Sequence, residues 1–298
     1  MTYHDLCMNV KREMEKAGCQ AARLESMELI SLASGKTAEE LVRDMRLTIT
    51  EDVIEKTAAL MVRWRAGEPI AYLSGEWAFY RLPFYVSPGA LIPRIDTEML
   101  VPLAVEHLSD CTGHTRVLDL CSGTGCLGIS VAYEKKDAWS VLVDLSDEAL
   151  ELCKRNIRRH NLTGRVISIK ADVRQEPSPA LGQFDIVLCN PPYIPTGDIA
   201  KLDQSVRDYE PILALDGGKD GLDFYRTITS QWKSVIRPGG HLLYEVGIGQ
   251  AEAVAWFMVK AGYENIRIIR DSAGIERVVE GKRPADDSLP EARKEGEE

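Results

Sequence analysis

The segment Asn190-Pro191-Pro192-Tyr193 carries the most specific chemistry in this sequence. Two successive prolines stiffen the backbone directly after the apolar run at 184–189, which is an unusual way to build an ordinary loop. The Asn190 side-chain oxygen and the Pro191 carbonyl could each accept one N–H of a substrate NH2 group, while Tyr193 stacks on its planar face. The segment therefore predicts a site for a planar amide or amino nitrogen. Its catalytic residues would be Asn190, Pro191 and Tyr193, and its substrate-binding residues Asn190, Pro191, Pro192 and Tyr193.

The reaction that such a site favours follows from the electronic structure of an amide. An amide nitrogen is a poor nucleophile because its lone pair is delocalised into the carbonyl. Two acceptors aimed at its hydrogens favour the rehybridised, partly positive nitrogen of the transition state over the flat ground state. Positioning and in-line alignment then supply the remaining catalysis, without a metal ion or a strong general base. The sequence thus predicts group transfer onto nitrogen, and it names no acceptor for the released proton.

A glycine-rich segment upstream, VLDLCSGTGCLGIS (117–130), is suited to a cofactor. Its glycines permit positive φ and close approach of a ligand, and the amides at the following helix start favour an anionic group. Asp144 ends the next predicted strand about twenty residues later, where a carboxylate can accept both hydroxyls of a ribose. Asp172 could accept from an adenine amino group or simply cap the next turn. A tight turn and a surface aspartate are the plain alternatives, but the order of the motifs indicates a nucleoside cofactor, and Asn190 favours S-adenosylmethionine over a dinucleotide.

Apolar runs alternate with amphipathic segments and supply the elements that must position these residues. The runs predicted as strands are RVLDL (116–120), SVLVD (140–144), RVISIK (165–170), FDIVLC (184–189) and HLLYEV (241–246). Helices are predicted at Cys126–Lys135 and Asp147–His160. This alternation is typical of an α/β fold with a doubly wound, mainly parallel sheet. Because ligands bind beyond the carboxyl ends of such strands, the loops after the first four strands should line one crevice.

The two ends of the chain differ from this alternating region. Over residues 3–67 apolar side chains recur three or four positions apart, which predicts a small helical domain. Residues 77–86 predict a β-hairpin with its turn at Arg81 and Leu82. Residues 265–270 and 275–279 predict a closing antiparallel pair. The expected division is residues 1–75 as an N-terminal helical domain, 76–92 as a hairpin linker, 93–281 as the cofactor-binding domain and 282–298 as a disordered tail.

Composition excludes several classes of protein. The net charge of -10 and pI near 5.2 give no general attraction for nucleic acid or an anionic membrane. Seven cysteines without a CxxC pair fit neither a disulfide framework nor a zinc site, and the five histidines show no ligand spacing, so no metal is expected. The charged N-terminus does not resemble a signal peptide, and no apolar run reaches the roughly 20 residues that span a bilayer. We expect a cytoplasmic, monomeric protein.

With these residues in place, the chain resembles the bacterial HemK/PrmC family, the N5-glutamine methyltransferases that modify peptide chain release factors. The shared segments cover nearly the whole chain. They include GEPIAYLSGEWAFY (67–80), LIPRIDTEMLV (91–101), YEPILALDGGKDGLDFYR (209–226) and DSAGIERVV (271–279). The Asn-Pro-Pro-Tyr motif also occurs in adenine and cytosine amino methyltransferases, so its combination with the other segments is what makes the resemblance specific.

The resemblance implies a class I S-adenosylmethionine-dependent methyltransferase domain, Rossmann-like with its last strand antiparallel, after five helices that dock the substrate. The implied cofactor is S-adenosylmethionine, with S-adenosylhomocysteine as product. The implied partners are class I peptide chain release factors, methylated on the glutamine of a Gly-Gly-Gln loop. Asn190 would touch both cofactor and glutamine. The implied cofactor-binding residues are Cys121, Ser122, Gly123, Thr124, Gly125, Asp144, Asp172, Val173 and Asn190.

Three residues depart from the family pattern. Cys121 replaces the first glycine of the loop and makes the turn less permissive. Ile95 replaces a proline in the IPRPDTE pattern and removes some local stiffness. Val173 stands where some members carry a tryptophan against the adenine. Gly123 and Gly125 of the turn remain intact, and Val173 has no aromatic ring to stack on an adenine.

Three alternatives remain open from the residues. The charged residues of PRIDTE (93–98) could form a salt-bridged hinge over the cleft or a solvated helix start. A methyltransferase acting on adenine or cytosine of a nucleic acid would grip an exocyclic amino group equally well, but the acidic charge opposes it. An inactive cofactor-binding protein that acts by docking is the third, and the intact Asn190 and Gly123 oppose it.

Overall fold

A computed structural model of the protein describes residues 1–109, 111 and 113–285. The chain begins with helices, as predicted: α1 (Tyr3–Lys16), α2 (Ala22–Ser34), α3 (Ala38–Arg43), α4 (Glu51–Arg65) and α5 (Ile70–Ser74). Their apolar residues recur at helical spacing, so that Leu6, Val10 and Met14 face one side of α1 and are buried against Leu29 and Ile30 of α2. Of the predicted disordered tail, residues 286–298 lie outside the described residues.

A hairpin of strands β1 (Glu76–Phe79) and β2 (Leu82–Tyr85) follows the helices. The central turn residues are Tyr80 and Arg81, both with positive φ (47° and 64°), which is the backbone of a tight two-residue hairpin turn. The predicted turn at Arg81 and Leu82 is therefore wrong by one residue. Leu82 is buried and pairs with Phe79, so its side chain belongs to the strand.

The remaining strands form one seven-stranded sheet: β3 (Thr115–Leu120), β4 (Ala138–Asp144), β5 (Val166–Lys170), β6 (Phe184–Cys189), β7 (Ile236–Glu245), β8 (Glu264–Arg270) and β9 (Glu276–Lys282). Their order is β5-β4-β3-β6-β7-β9-β8. Strands β3 to β7 are parallel, and β9 is antiparallel to both of its neighbours. The doubly wound α/β sheet with its last strand antiparallel is confirmed. β7 starts five residues before the predicted run because Ile236 already pairs with Phe184 across a bulge.

Helices cover both faces of this sheet. The helices of this part of the chain are α6 (Leu100–Ser109), α7 (Cys126–Glu134), α8 (Asp147–Arg159), α9 (Gln204–Arg207), α10 (Asp223–Gln231) and α11 (Ala251–Lys260), of which all but the short α9 pack on the sheet. The first three share one apolar core with the sheet, and α10 and α11 share the other. No helix of the described residues is long and apolar enough to cross a membrane.

The N-terminal helices contact the loop that follows β6. The Ala66 carbonyl, just after α4, accepts hydrogen bonds from Gln204 Nε2 (3.2 Å) and Tyr209 Oη (3.0 Å). The Tyr72 hydroxyl in α5 donates to the Ala90 carbonyl at 2.8 Å, in the stretch after the hairpin. The helices are thus fixed beside the loops at the carboxyl edge of the sheet, where the predicted site residues lie.

Candidate active site

The loops after β3, β4, β5 and β6 open onto one cavity of about 280 Å³, which confirms the single crevice predicted from the strand order. Most of the predicted cofactor-binding residues line it: Cys121, Ser122, Gly123, Thr124, Asp144, Asp172, Val173 and Asn190. Gly125 does not line the cavity. A Cβ on Gly125 would lie 2.9 Å from a Leu142 methyl and 3.0 Å from an Ile129 methyl, so this glycine lets the turn pack onto the core.

The turn between β3 and α7 has an unusual backbone. Cys121, Gly123 and Gly125 all have positive φ, at 57°, 55° and 80°. The Ser122 amide donates to the Val143 carbonyl at 3.0 Å, which holds the turn against β4. A left-handed conformation costs a non-glycine residue roughly 1–2 kcal/mol, so the cysteine at 121 stores strain that glycine would not.

Asp144 ends β4 at the rim of the cavity, as its position in the sequence predicts. Its Oδ2 accepts from the Gly123 amide at 2.8 Å and its Oδ1 from the Ser146 amide at 2.9 Å. Burial raises the pKa of Asp144, while these two backbone donors oppose that shift. Each carboxylate oxygen keeps a second lone pair for a ligand. The geometry therefore provides two fixed acceptors side by side, as a vicinal diol requires.

Asp119 is a cavity residue that the sequence analysis did not single out. It lies within β3 and is 1% exposed, and its Oδ2 accepts from the Gly128 amide at 2.9 Å. Asp119 lines the cavity, and its buried Oδ1 has no hydrogen-bond partner among the residues that the structure describes. Burial raises the pKa of Asp119 to about 7. A carboxylate inside the apolar run VLDL was the signal available in the sequence, since a buried acceptor without a donor is costly unless a ligand supplies one.

Asp172 and Val173, in the loop after β5, also line the cavity. Arg174 donates three hydrogen bonds to the Asp172 carboxylate, one from its backbone amide (3.0 Å) and two from guanidinium N–H groups (2.9 Å each). These hydrogen bonds lower the pKa of Asp172. This geometry corresponds to the turn-capping alternative and leaves further lone pairs for an adenine amino group. Val173 is buried, and its carbonyl accepts a hydrogen bond from Trp232 Nε1 at 2.9 Å, which fixes the backbone of this loop.

The Asn190 side chain at the end of β6 is oriented by a hydrogen bond to Thr97. Its Nδ2 donates to the Thr97 hydroxyl at 3.1 Å. Thr97 Oγ1 in turn donates to Glu245 Oε2. Since the threonine proton is directed at the carboxylate, the Thr97 oxygen can only accept from Asn190, which requires the NH2 end of the amide on that side. Asn190 Oδ1 is left with no donor among the described residues, and Asn190 lines the cavity.

Glu245 also holds the other end of the Asn-Pro-Pro-Tyr segment. It is the last residue of β7, 3% exposed, and its Oε1 accepts from the Tyr193 hydroxyl at 3.3 Å. Burial raises the pKa of Glu245 to about 7, and burial likewise raises that of Tyr193. Thr97 and Glu245 were missed in the sequence because they lie 93 and 55 residues from Asn190, and Thr97 resembles any residue of a helix start.

The two prolines lie between these anchors. Pro192 lines the cavity, whereas Pro191 and Tyr193 lie beside it. The Pro191 carbonyl accepts no hydrogen bond from the described residues. The predicted substrate-binding segment therefore offers two acceptors, Asn190 Oδ1 and the Pro191 carbonyl, that the protein's own described donors leave available.

A glycine-containing loop packs directly against this segment. A Cβ on Gly217 would lie 2.7 Å from Tyr193 Cα and 2.8 Å from the Pro192 carbonyl oxygen. A Cβ on Gly221 would lie 2.3 Å from the Tyr193 carbonyl oxygen. Gln250 Nε2 connects this loop to the Asn-Pro-Pro-Tyr segment by donating to the carbonyls of Tyr193 (2.9 Å) and Gly221 (3.3 Å). Residues 216–223, which open α10, thus hold the back of the Asn-Pro-Pro-Tyr segment.

The PRIDTE segment is held by ion pairs at the mouth of the cavity. Arg94 lines the cavity and pairs with the buried Glu210, whose Oε2 also accepts from the Ile92 amide at 3.1 Å. Asp96 pairs with Arg277 of β9 at 3.0 Å. Glu98 accepts from the Tyr80 amide at 2.8 Å. The charged residues of this segment therefore contact three separate parts of the chain, two through ion pairs and one through a backbone amide. The ion pairs agree with the salt-bridged alternative, and the segment's role as a hinge stays a prediction.

Family models match two parts of the chain. Residues 5–75 match the PrmC N-terminal domain, and residues 96–204 match the Methyltransferase small domain. Among curated proteins, a release factor glutamine methyltransferase of Geobacter sulfurreducens is 37% identical over 90% of this chain and 92% of its own length. One of Gloeobacter violaceus is 41% identical over 76% of this chain and 78% of its own length.

The chain belongs to the HemK/PrmC family of release factor glutamine methyltransferases. Its sheet is that of class I methyltransferases. A methyltransferase from Pyrococcus furiosus superposes with a TM-score of 0.50 at 18% identity, covering 76% of this chain and 99% of that one. The hMettl16 catalytic domain, solved with a MAT2A 3′UTR hairpin, gives 0.55 at 14% identity over 80% and 82% of the two chains. At such identities the likeness concerns the fold alone.

Within this family, two of the departures noted in the sequence have a structural counterpart. Cys121 adopts the left-handed conformation that favours glycine (φ 57°). Ile95 has φ -63° and ψ -34° and is 80% exposed, so the position keeps a proline-like φ without the ring. In this HemK/PrmC member, position 121 is therefore strained relative to glycine, and position 95 lacks the restriction that a proline ring imposes.

Proposed function

We propose that this protein transfers a methyl group from S-adenosylmethionine to the side-chain amide nitrogen (N5) of the glutamine in the Gly-Gly-Gln motif of class I peptide chain release factors. The relatives of 37% and 41% identity are named release factor glutamine methyltransferases, which supports the release factor and its glutamine as substrate. We assign the catalytic role to Asn190, Pro191 and Tyr193, with Pro192 completing the substrate-binding segment. The protein acts as a monomer in the cytoplasm, where release factors work.

The orientation of the Asn190 amide is the observation that carries this proposal. Because Nδ2 is engaged by Thr97 at 3.1 Å, Oδ1 is the atom presented to a ligand. The adjacent Pro191 carbonyl is a second acceptor without a donor among the described residues. A primary amide has two N–H hydrogens and needs two such acceptors. A carboxylate or hydroxyl substrate would meet only repulsion or a single hydrogen bond at this pair.

The cavity fits the proposed cofactor on three observations. The buried Asp119 Oδ1 lacks a donor among the described residues, and an α-ammonium group would provide one. The Asp144 carboxylate, fixed by the amides of Gly123 and Ser146, suits the ribose hydroxyls. Val173 and Asp172 line the wall at which an adenine would lie. When bound, S-adenosylmethionine supplies a methyl group on a sulfonium, which needs no further activation.

The protein's own residues perform the remaining steps. Asn190 Oδ1 and the Pro191 carbonyl each accept one N–H of the glutamine amide and hold its nitrogen in one direction. As the nitrogen becomes tetrahedral and partly positive, both N–H groups become stronger donors, so these two hydrogen bonds strengthen in the transition state. Tyr193 packs on the planar amide and excludes water from it. Methyl transfer would form the N–C bond as the S–C bond breaks, with S-adenosylhomocysteine as the leaving group, and the nitrogen would release one proton to solvent.

We further propose a division of labour along the chain. Residues 1–75 dock the release factor, residues 76–92 link the two domains, and residues 93–281 carry out methyl transfer. Support comes from the contacts of Ala66 with Gln204 and Tyr209, which fix the helices beside the loop behind the Asn-Pro-Pro-Tyr segment. A release factor held by these helices would therefore lie next to the cavity mouth.

The direct experiment measures methyl transfer from labelled S-adenosylmethionine to a purified class I release factor. We expect label in the Gly-Gly-Gln peptide of the wild-type factor. A factor with asparagine or alanine in place of that glutamine should remain unlabelled. Equal labelling of the substituted factor would contradict the glutamine assignment, and labelling of an RNA or DNA oligonucleotide instead would favour a nucleic acid methyltransferase.

A further inference from the structure

We propose that Glu245 and Thr97 are positioning residues of this enzyme, a buried relay that holds both ends of the Asn-Pro-Pro-Tyr segment in the amide-binding geometry. The proposal rests on the function proposed above, because it names the groups that keep Asn190 Oδ1 facing the substrate nitrogen. We assign neither residue a direct contact with the substrate amide. Their effect passes through Asn190 and Tyr193.

Glu245 is in a position to fix both ends because its two carboxylate oxygens go to different partners. Oε2 accepts from Thr97 Oγ1, which accepts from Asn190 Nδ2 at 3.1 Å. Oε1 accepts from the Tyr193 hydroxyl at 3.3 Å. One carboxylate thus reaches the first and the last residue of the segment from the neighbouring strand β7.

The carboxylate itself is held in place by its backbone. The Glu245 carbonyl accepts from the Tyr225 hydroxyl at 2.9 Å, and Glu245 pairs with Val278 of β9. Glu245 is 3% exposed and Thr97, which lines the cavity, is 2% exposed, so both are almost fully shielded from solvent. A rigid, buried carboxylate defines the direction of every hydrogen bond in the relay.

The direction of these hydrogen bonds determines which atom of Asn190 meets the substrate. An ionised carboxylate only accepts, so Thr97 must donate to it and can offer Asn190 only a lone pair. The amide then turns its NH2 towards Thr97 and its oxygen towards the cavity. A protonated Glu245 could donate to Thr97 instead. Thr97 would then donate to Asn190 Oδ1, and the amide would present NH2 to a substrate that is itself an N–H donor.

This reversal links the relay to pH. Burial raises the pKa of Glu245 to about 7. The titratable and charged groups that interact electrostatically with its carboxyl are Asp96, Cys126, Cys189, Tyr193, Tyr225 and Arg277. Turnover should therefore fall as the pH drops through about 7 and the relay reverses.

The same group has the opposite effect on stability. A glutamate whose pKa is raised in the folded state above its unfolded value of 4.5 stabilises the fold most at low pH, and this contribution is lost as the pH rises through about 7. Loss of activity on acidification is thus not explained by unfolding through Glu245. If the role of Glu245 were purely structural, its titration would change the free energy of unfolding with pH and leave kcat unchanged.

The first test compares Thr97→Val, Thr97→Ser and a matched control, Thr229→Val, in the methylation of a release factor. Thr229 is a buried threonine of α10 whose hydroxyl lies 3.0 Å from the Tyr244 hydroxyl, outside the relay. We expect Thr97→Val to lower kcat by about 10- to 100-fold with cofactor affinity unchanged, Thr97→Ser to restore it to within about threefold, and Thr229→Val to leave it unchanged. A kcat for Thr97→Val equal to that of Thr229→Val would overturn the proposal.

The second test needs no substrate and so separates this inference from the proposed function. The side-chain amide NMR signal of Asn190, assigned by its loss in Asn190→Asp, should shift with pH around 7 in the wild type. The shift should vanish in Glu245→Gln, whose side chain cannot titrate. A signal that does not respond to pH, or that responds equally in Glu245→Gln, would refute the relay even in a protein that methylates release factors. A wild-type protein that shows the titration but labels no release factor would refute only the proposed function.

Discussion

The two halves of the cavity are built in different ways. On the cofactor side, the turn at 121–125 and Asp144 lie on neighbouring strands and bind each other through backbone amides, as Gly123 does at 2.8 Å. On the acceptor side, Asn190 and Tyr193 depend on side chains from distant segments, with Thr97 separated by 93 residues. The hydrogen bonds of the cofactor side form as soon as the two neighbouring strands β3 and β4 pair in register. The acceptor side needs the whole domain to be assembled before its hydrogen bonds exist.

This difference implies that the two halves respond differently to mutation. Backbone donors survive most side-chain substitutions, so changes on the cofactor side should affect affinity for one ligand group at a time. A side-chain relay is lost when any member is removed, so changes on the acceptor side should affect turnover with cofactor affinity preserved. The following variants test that contrast.

Asn190→Ala should have the largest effect. It removes an acceptor that strengthens in the transition state, so kcat should fall by about 100- to 1,000-fold. Cofactor affinity, measured by calorimetry, should change little, since Asp119 and Asp144 remain. Turnover equal to the wild type would refute the amide clamp, and a large loss of cofactor affinity would show that the two halves are not separable at this residue.

Asp119→Asn should weaken the cofactor side by about 10- to 100-fold in affinity, the range for a hydrogen bond to a charged group. At saturating cofactor, kcat should stay within about threefold. The wild type should also bind more weakly as the pH falls below 7, by at most about tenfold per unit. The reason is that the pKa of Asp119 is raised to about 7 by burial and an ammonium ligand favours the ionised form. Affinity independent of pH and unchanged in Asp119→Asn would remove this residue from the cofactor site.

Gly217→Ala should lower kcat by about tenfold, because the added methyl group would displace the backbone of the Asn-Pro-Pro-Tyr segment. Its Cβ would lie 2.7 Å from Tyr193 Cα, too close for backbone to remain in place. Gly197→Ala is the matched control in the same loop region, because a Cβ there meets nothing within 4 Å. Steady-state kinetics of both variants decide the point: equal kcat values would mean that the close packing has no role in positioning.

Cys121→Gly should have the smallest effect, and on stability alone. Glycine would remove roughly 1–2 kcal/mol of strain from the left-handed backbone of the folded state. It would also make the unfolded chain more flexible, which lowers stability by a smaller amount, roughly 0.4–1 kcal/mol. The free energy of unfolding should rise by about 0.5 kcal/mol in urea titrations, with kcat and cofactor affinity unchanged. A lower stability would indicate that the Cys121 side chain contributes more packing than its backbone costs.

Much of the cofactor side could be predicted from the sequence because its signals are local. Apolar runs at the right length predict β3 to β7, and glycines followed by Asp144 predict the turn and its partner. The boundaries of helices, strands and turns are weaker signals in a sequence. The hairpin turn was placed one residue late because Leu82 resembles a turn flank until its pairing with Phe79 is known. Asp119 was missed because an aspartate within a strand carries no sign of whether its oxygens are satisfied.

By itself the sequence determined the chemistry that the protein can offer: a rigid segment with two acceptors, a glycine turn and an acidic strand end, in an order that identifies the HemK/PrmC family. Only the tertiary structure decided how those groups are oriented. Hydrogen-bond direction depends on which donor meets which acceptor, and Glu245, Thr97 and Asn190 meet only after β6, β7 and the 96–99 turn have packed together. Spacing along the chain carries no information about such contacts, because folding brings together residues that no local pattern relates.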